Sequence, residues 1–240
     1  MDPTLRAASA ARVGAVSEPV VLQWSGGKDS ALALQALLAD PRYAVAGLLA
    51  SFSDAYDRVT MHGVRRALIE AQAEALHLSL TPIHLPPEPA NGVYDARMRE
   101  ILGSLQDQGI STIATGDVSL EDVRQYREER LHEIGMALLT PLWGSAHEAL
   151  VRRFIDDGFE AVTVCVSAQH LDASFLGQAL DEAFLARLPA DADPCGENGE
   201  YHSFVHDGPL FASPIAVELG EVVARNGHCY QDLIPGSVSP

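Results

Sequence analysis

The junction between an apolar run and an amphipathic run near the N-terminus is the strongest constraint on the fold. Residues 20–40 read VVLQWSGGKDSALALQALLAD. The first five are mostly apolar, as in a buried strand, and from Asp29 onward apolar side chains recur at helical spacing. Gly26 and Gly27 allow a sharp turn that presents consecutive backbone N–H groups. The segment therefore predicts a strand, a tight loop and a helix whose N-terminus binds an anion.

The loop itself, SGGKDS, supplies the groups that a phosphate requires. Ser25 and Ser30 can donate hydroxyl hydrogen bonds, Lys28 adds a positive charge, and Asp29 can hold Mg²⁺ directly or through water. Lys28 is the only lysine, since the other fifteen basic residues are arginines. Its position inside the glycine loop indicates a functional amine. The alternative is a plain strand-to-helix turn with Asp29 or Ser30 as the N-cap.

Further apolar runs alternate with amphipathic segments along the chain. This alternation predicts an α/β fold with a parallel sheet covered on both faces by helices, which binds ligands beyond the carboxyl ends of its strands. We predict strands near residues 20–24, 44–51, 80–85, 111–116, 138–142 and 161–167, and helices over 29–40, 61–77, 94–109, 119–135 and 145–158. Near the C-terminus, Asn226-Gly227 predicts the turn of a hairpin.

Composition narrows the class of protein. Sixteen basic against 33 acidic residues give a formal charge of −17, which argues against a nucleic-acid partner because phosphate backbones require clustered cations. Three separated cysteines fit reduced thiols rather than a disulfide framework or zinc site. The chain has neither a secretory pattern nor an apolar run long enough to span a membrane, so we expect a cytoplasmic protein. It could act as a monomer or a homo-oligomer.

The loop lacks the GxxxxGK[ST] spacing of a Walker loop and instead resembles the SGGxDS loop of the PP-loop ATP pyrophosphatases, within the HUP-like (adenine nucleotide alpha hydrolase-like) superfamily. Further stretches fit one branch of these proteins: DRV (57–59), MHGVRR (61–66), GDV (116–118), EDVR (121–124), YRE (126–128), PLWG (141–144) and CGENGEYHSFV (195–205), which we call the late motif. With these stretches the chain resembles the diphthine-ammonia ligase family over roughly residues 19–212. Asn198 and Ser203 depart from that family's usual form of the late motif, as in a bacterial-type branch.

The resemblance implies a HUP-like, Rossmann-type fold and an amide ligase that uses ATP and Mg²⁺. Such an enzyme adenylates a substrate carboxylate, transfers ammonia to it, and releases AMP and pyrophosphate. We expect a flexible extension over residues 1–18, an ATP-binding domain over 19–144 and a smaller α+β, substrate-binding domain over 145–240. The acceptor is a small-molecule carboxylate or a modified protein side chain, because an arginine-rich, lysine-poor chain suggests a GC-rich bacterial genome whereas diphthine belongs to archaea and eukaryotes.

The resemblance and the residue chemistry together give three sets of candidate site residues. The candidate catalytic residues are Lys28, Asp29, Glu197, Glu200 and His202. ATP binding is assigned to Ser25, Gly26, Gly27, Lys28, Asp29, Ser30 and His62, with Asp29 as the Mg²⁺ ligand. Substrate binding is assigned to Asp117, Glu121, Arg124, Arg127, Trp143, Cys195, Gly196, Asn198 and Gly199.

Several of these assignments have simpler alternatives. Glu197 and Glu200 could face one pocket as bases for ammonia, or they could be solvated acids in a surface turn. Cys195 is more readily a partly buried thiol than a nucleophile. Arg124 and Arg127 share a helix face and could clamp a carboxylate or phosphate, or form ordinary ion pairs. Trp143 could pack in a core rather than stack on adenine.

Two other functions compete with the ligase. One is a PP-loop thiolation or nucleotide-modifying enzyme that acts on RNA, against which the acidic charge and the lack of paired catalytic cysteines argue. The other is a sensor that binds ATP or AMP in the same loop without catalysis.

Overall fold

The computed structural model describes residues 17–86 and 91–236. Strands and helices alternate over its first part, as the sequence predicts. The strands are β1 (Glu18–Gln23), β2 (Tyr43–Ser53), β3 (Arg58–Val59), β4 (Leu80–Leu85), β5 (Thr112–Ala114), β6 (Ala137–Leu139), β7 (Glu160–Ser167), β8 (Tyr201–Asp207), β9 (Val217–Arg225) and β10 (His228–Pro235). The helices are α1 (Lys28–Ala39), α2 (Arg66–Ala75), α3 (Asn91–Asp107), α4 (Glu121–His132), α5 (His147–Asp156) and α6 (Glu182–Arg187).

The first sheet is parallel, with strands in the order β4-β2-β1-β5-β6. Chain order reverses between β1 and β5, and such a switch point leaves a crevice at the carboxyl ends of the two strands. The short β3 pairs antiparallel with Phe52 and Ser53, beyond the point where β1 ends beside Leu49. The SGGKDS loop follows β1 and therefore lies at the switch point.

Helices cover both faces of this sheet because the strand residues are apolar on both sides. Val20 and Leu22 belong to one buried cluster with residues of α1, α2 and α5, whereas Val21 belongs to another with residues of α3 and α4. Alternate residues of a strand point to opposite faces. The predicted fold class, an α/β protein with a smaller C-terminal α+β part, is confirmed.

The C-terminal sheet is antiparallel, in the order β8-β7-β10-β9. Its core continues that of α1 and α5, so the second sheet packs on one side of the first. The hairpin prediction is confirmed: Arg225 pairs with His228, and the two turn residues have φ values of 50° and 79°. A type I′ turn requires positive φ at both positions. In the described ranges, no helix is long and apolar enough to cross a membrane.

Two predictions about local structure need correction. The helix predicted over 61–77 begins only at Arg66, because Met61 and Gly63 have φ values of 68° and 70°, which a right-handed helix cannot contain. The prediction also omitted β3, α6 and β8, whose short runs lack a clear period. Residues 1–16 of the predicted extension lie outside the described residues, and Glu18 already belongs to β1.

One buried amide joins the two sheets. Gln72 of α2 is fully buried and accepts a hydrogen bond from Trp24 Nε1 at 2.8 Å. Its Nε2 donates to the carbonyl oxygens of Gly26, at 3.0 Å, and of Val205, at 2.7 Å. The amide of Val205 in turn donates to the Gly26 oxygen at 2.9 Å. Gln72 thus fixes the start of the SGGKDS loop against β8.

Replacing Gln72 by leucine should therefore cost stability. The change leaves the Trp24 indole without its partner and removes one hydrogen bond each from the carbonyls of Gly26 and Val205, and an unsatisfied buried group costs about 1–3 kcal/mol. We expect a fall of roughly 2–3 kcal/mol in the free energy of unfolding, measured by urea denaturation. The control is Gln125→Leu, because Gln125 makes only an exposed bond to Glu129. Equal stabilities for the two variants would contradict the proposed link.

Candidate active site

The SGGKDS loop opens into a cavity of about 620 Å³ at the switch point, which we call the loop cavity. Residues from the ends of β1, β2 and β5 meet there with residues of the late motif. The predicted site residues that line it are Ser25, Lys28, Asp29, Ser30, His62, Asp117, Arg127, Gly196, Glu197, Asn198, Gly199 and His202. The tertiary structure therefore brings together residues that lie up to 177 positions apart in the chain (202 − 25).

The backbone of the loop fits an anion. Gly27 is the N-cap of α1, and no side chain caps this helix. The dipole of α1 therefore points its positive end at the cavity. Ser25 and Ser30 hydroxyls lie 3.3 Å apart, and Ser30 donates to the Gly27 oxygen at 2.8 Å.

Two glycines of the loop and one opposite it are sterically required. Gly26 has φ of +82°, and a Cβ there would lie 2.6 Å from Ile69 Cδ1. A Cβ on Gly27 would lie 2.9 Å from the His62 ring, and one on Gly116 would lie 2.8 Å from the backbone of Asp29. The chain must pass this closely for the loop to pack between β5 and β8.

Lys28 is buried beneath the loop and forms an ion pair with its neighbour Asp29. Its Nζ lies 2.8 and 3.0 Å from the two carboxylate oxygens of Asp29, and 5.4 Å from the centre of the Tyr201 ring. Burial alone lowers the pKa of Lys28, but the attraction of Asp29, with Cys195 and Tyr201, outweighs it and holds the pKa well above its ordinary value. Lys28 is therefore a permanent cation.

Ser203 holds the loop from the opposite side. Its hydroxyl accepts a hydrogen bond from the backbone N–H of Lys28 at 3.2 Å, and its carbonyl oxygen lies 3.3 Å from His62 Nδ1. A carbonyl can only accept, so this contact places the His62 proton on Nδ1 and leaves Nε2 as an acceptor.

His62 and His202 form a stacked pair in the cavity wall. Their ring centres lie 4.4 Å apart with 28° between the planes. Burial lowers the pKa of His62 from 6.5 to about 4, and burial together with His62 and Lys28 lowers the pKa of His202 well below its ordinary value. Both imidazoles are consequently neutral at pH 7.

The two carboxylates of the late motif do not face one pocket, contrary to the prediction. Glu197 lines the loop cavity, and its Oε1 accepts hydrogen bonds from the N–H groups of Val118 and Ser119, both at 2.9 Å. Glu200 is buried and accepts bonds from Asp193 and Asn198, all at 3.1 Å. Glu197 thus anchors the loop after β5, and Glu200 shapes the turn of its own motif.

Cys195 is fully buried next to the loop, with its sulfur 3.6 Å from Asp29 Oδ1. Burial raises the pKa of this thiol to about 12, against the opposing effect of Lys28. A protonated, inaccessible thiol is a poor nucleophile. The structure agrees with the interpretation of Cys195 as a packing residue, and it does not line the loop cavity.

Helix α4 contributes one of its two predicted arginines to the cavity. Arg127 Nε lies 3.2 Å from Asp117 Oδ2, and its Nη1 donates to Gln23 Oε1. Arg124 instead pairs with Glu128 at 2.8 Å and lies over the Trp143 ring at 4.4 Å.

Glu121, Arg124 and Trp143 do not line the loop cavity. Arg65 and Arg66, which follow His62 closely in the chain, pair with Asp232 and Glu70. Asp157, which follows α5, lies 3.4 Å from Arg153.

Gln72 had no predicted role, and Ser203 was noted only as a departure from the family pattern. A signal for Gln72 exists: it lies at helical spacing with the buried Leu68 and Ile69, so a polar side chain occurs on the apolar face of α2. Ser203 carried no comparable signal, because its role depends on the distance between β8 and the loop.

The donor groups of the cavity fit a magnesium ion that arrives with phosphates. Asp29, whose side chain is 31% exposed, and Asp117 both line the cavity. Mg²⁺ is ordinarily held by one or two carboxylates together with substrate phosphates and water. Residues 17–86 and 91–236 hold no group of three or more His, Cys, Asp or Glu that could form a complete metal cage.

Two family models match most of the chain. The model of the diphthamide synthase N-terminal domain matches residues 18–138, and that of the diphthamide synthase C-terminal domain matches residues 146–233. The chain belongs to the diphthamide synthase family. This confirms the resemblance that the loop and the late motif indicated.

Curated relatives of this diphthamide synthase family member are named diphthine–ammonia ligase. The bovine protein is 29% identical over 86% of this chain and 85% of its own length. The human protein is 31% identical over 52% of this chain, an alignment that spans about half, 49%, of the human protein. A solved structure, described as a predicted subunit of tRNA methyltransferase from Methanocaldococcus jannaschii, is 19% identical with a TM-score of 0.39 and covers 61% of this chain and 80% of its own. These names agree with the predicted enzyme class, a ligase that forms a carbon–nitrogen bond.

The buried histidines predict how stability depends on pH. Because the folded protein keeps His62 neutral down to about pH 4, unfolding takes up a proton below the ordinary pKa of 6.5. Stability should therefore be complete above pH 6.5 and decrease as the pH falls toward 4, with a slope of up to about 1.4 kcal/mol per pH unit for each such histidine.

His62→Gln should reduce this loss by roughly 1–2 kcal/mol between pH 7 and pH 5, by that linkage. The measurement is urea unfolding at the two pH values. His132→Gln serves as the control, because His132 is exposed on α4. If His62→Gln kept the full pH dependence of the wild type, the neutral buried state of His62 would be refuted.

Proposed function

We propose that the chain is an AMP-forming amide ligase that activates a substrate carboxylate as an adenylate and replaces AMP with ammonia. The observation that carries this proposal is the SGGKDS loop at the switch point, where an uncapped helix, a buried lysine and a carboxylate meet in one cavity. A ligase of this kind must grip the terminal phosphates, so that attack falls on the phosphorus nearest the ribose.

The loop supports that grip through fixed groups. The positive end of α1 and the hydroxyls of Ser25 and Ser30 face the cavity, and Lys28 adds a charge that burial cannot remove. Preorganised donors stabilise charge that develops in the transition state without having to reorient. Asp29 would hold Mg²⁺, which neutralises phosphate charge and orients the leaving pyrophosphate.

The opposite wall supports the acceptor and ammonia. Arg127 and Asp117 lie where an acceptor carboxylate would approach, and Arg127 offers a guanidinium suited to carboxylates. Ammonia must lose a proton as its nitrogen attacks, and in this proposal the base is a histidine of the neutral stacked pair, His62, whose Nε2 can accept a proton, or His202. In this proposal Glu197 positions the loop that carries Asp117, and Glu200 is a positioning residue.

The names of the relatives indicate the chemical class of the acceptor, a carboxylate, and not its identity in this chain. They are named for ligation of ammonia to diphthine, a carboxylate on a modified protein side chain. We infer that this chain takes a carboxylate presented either in that way or on a free small acid, since both require the same adenylation.

The test is the nucleotide product. The protein is incubated with ATP, Mg²⁺ and ammonium, alone and with fractionated cell extract, and AMP and ADP are quantified after separation. We expect AMP and pyrophosphate in equal amounts, dependent on ammonium and on an acid-containing fraction. ADP as the acceptor-dependent product would reject the adenylation mechanism, and ATP binding without turnover in any fraction would favour a sensor.

Asp29→Asn should reduce kcat/KM for AMP formation roughly a hundredfold, equivalent to about 2.7 kcal/mol of transition-state stabilisation. The amide removes the charge that serves Mg²⁺, so the Mg²⁺ concentration for half-maximal activity should rise as well. Asp156→Asn is the matched control, because Asp156 lies at the end of α5. Circular dichroism and thermal melting must show that the variant is folded. An unchanged Mg²⁺ requirement in the folded variant would remove Asp29 from the metal site.

A further inference from the structure

A second cavity, of about 720 Å³, lies between α3 and α4, and we call it the helix cavity. Both helices pack on the same face of the first sheet, where Ile113 and Leu138 form the floor between them. Helices that cover one sheet face ordinarily close on each other, because protein interiors leave few voids larger than a water molecule. A cavity of this size falls within the range of small-molecule sites.

Polar contacts join the two helices around this cavity. The Tyr126 hydroxyl donates to Asp95 Oδ1 at 2.7 Å, and Gln106 Nε2 donates to the carbonyl oxygen of Ile134 at 2.7 Å. Arg99 of α3 lies 3.6 Å from Glu133, which also binds Arg130 of α4 at 2.7 Å. These contacts join α3 to the C-terminal part of α4 while the apolar side chains between them leave space.

The helix cavity adjoins the loop cavity. Gln23, Met61, Thr115, Val123 and Arg127 line both. Arg127 therefore lies at the boundary between the two cavities. Asp29 lies on the loop-cavity side of this boundary, and the apolar side chains of Met98, Leu102 and Leu131 line the helix cavity on the other side.

Two arginines of the helix cavity favour an anion at the boundary. Carboxylates balance the arginine charges there, since Glu133 pairs with Arg99 and Arg130 and Asp117 lies beside Arg127. The Nε atoms of Arg127 and Arg130 are nevertheless buried without a hydrogen-bond partner among the described residues. An occupant held by Arg127 would place its charged end toward the loop cavity and its body among apolar side chains.

We propose that the helix cavity binds the acceptor, an organic acid with an apolar or aromatic body whose carboxylate lies at Arg127. This inference rests on the proposed function in one respect, namely that the bound carboxylate is then adenylated. Binding of the acid in the helix cavity can be measured without catalysis. The cavity dimensions suit a small acid or a single side chain rather than a folded surface.

The test measures binding directly, with 2-naphthylacetate as a fluorescent probe and the neutral 2-naphthylacetamide as its matched partner. The wild type should bind the acid at least tenfold more tightly than the amide. Met98→Trp, which fills the cavity from α3, should weaken binding of the acid at least tenfold and leave the Kd of ATP unchanged. Val93→Trp is the control on the same helix, because Val93 is exposed and does not line the cavity.

Arg127→Gln provides an independent readout that does not require a core substitution. It should reduce binding of the acid to the level of the amide and leave amide binding unchanged. Equal binding of acid and amide by the wild type would overturn the proposal, as would an absence of effect of Met98→Trp on the acid. A weaker Kd for ATP in folded Met98→Trp would assign the cavity to the adenine instead.

These outcomes are separate from the AMP measurement. Acid binding with no AMP formation would reject the ligase and retain the site, whereas AMP formation with no acid binding here would retain the ligase and reject the site.

Discussion

The hydrogen bonds of Gln72 are the constraint on which the rest of the structure depends. A single buried amide satisfies the Trp24 indole and the carbonyls of Gly26 and Val205, so it fixes the end of β1, the start of the loop and β8 at once. The hydrogen bonds from Val205 N–H to the Gly26 oxygen and from Lys28 N–H to the Ser203 hydroxyl hold the loop against β8 as well. Because buried polar groups cost free energy unless they are paired, the three partners make one arrangement much more favourable than its neighbours.

The positive charge of Lys28 at the loop depends on this fixed geometry. Lys28 is buried, and burial would ordinarily favour the neutral amine. The adjacent carboxylate of Asp29 reverses that tendency and keeps the charge. The result is a cation with a defined position below a helix N-terminus, in a surrounding of low dielectric constant where its field is stronger than in water. The positive charge available at the loop is therefore a local property of a protein that is acidic as a whole.

The late motif acts mainly by shaping the opposite wall. Glu197 binds two backbone N–H groups after β5, Glu200 binds the turn around Asn198, and Ser203 meets the loop. The two glutamates, which the sequence suggested as catalytic groups, thus fix the backbone around the site. Arg127 stands apart, because it lies between the polar loop cavity and the apolar helix cavity. In the proposed ligase, Arg127 would lie between the phosphate site and the acid site.

The sequence by itself determined the α/β class, the loop after β1 and the family, because hydrophobic period and a short glycine motif are local properties. It also located the Asn226-Gly227 turn. Only the tertiary structure decided which carboxylate faces the cavity, that Arg127 rather than Arg124 lines it, and that Gln72 joins the sheets. Those outcomes depend on distances between segments over a hundred residues apart in the chain, which sequence spacing does not encode.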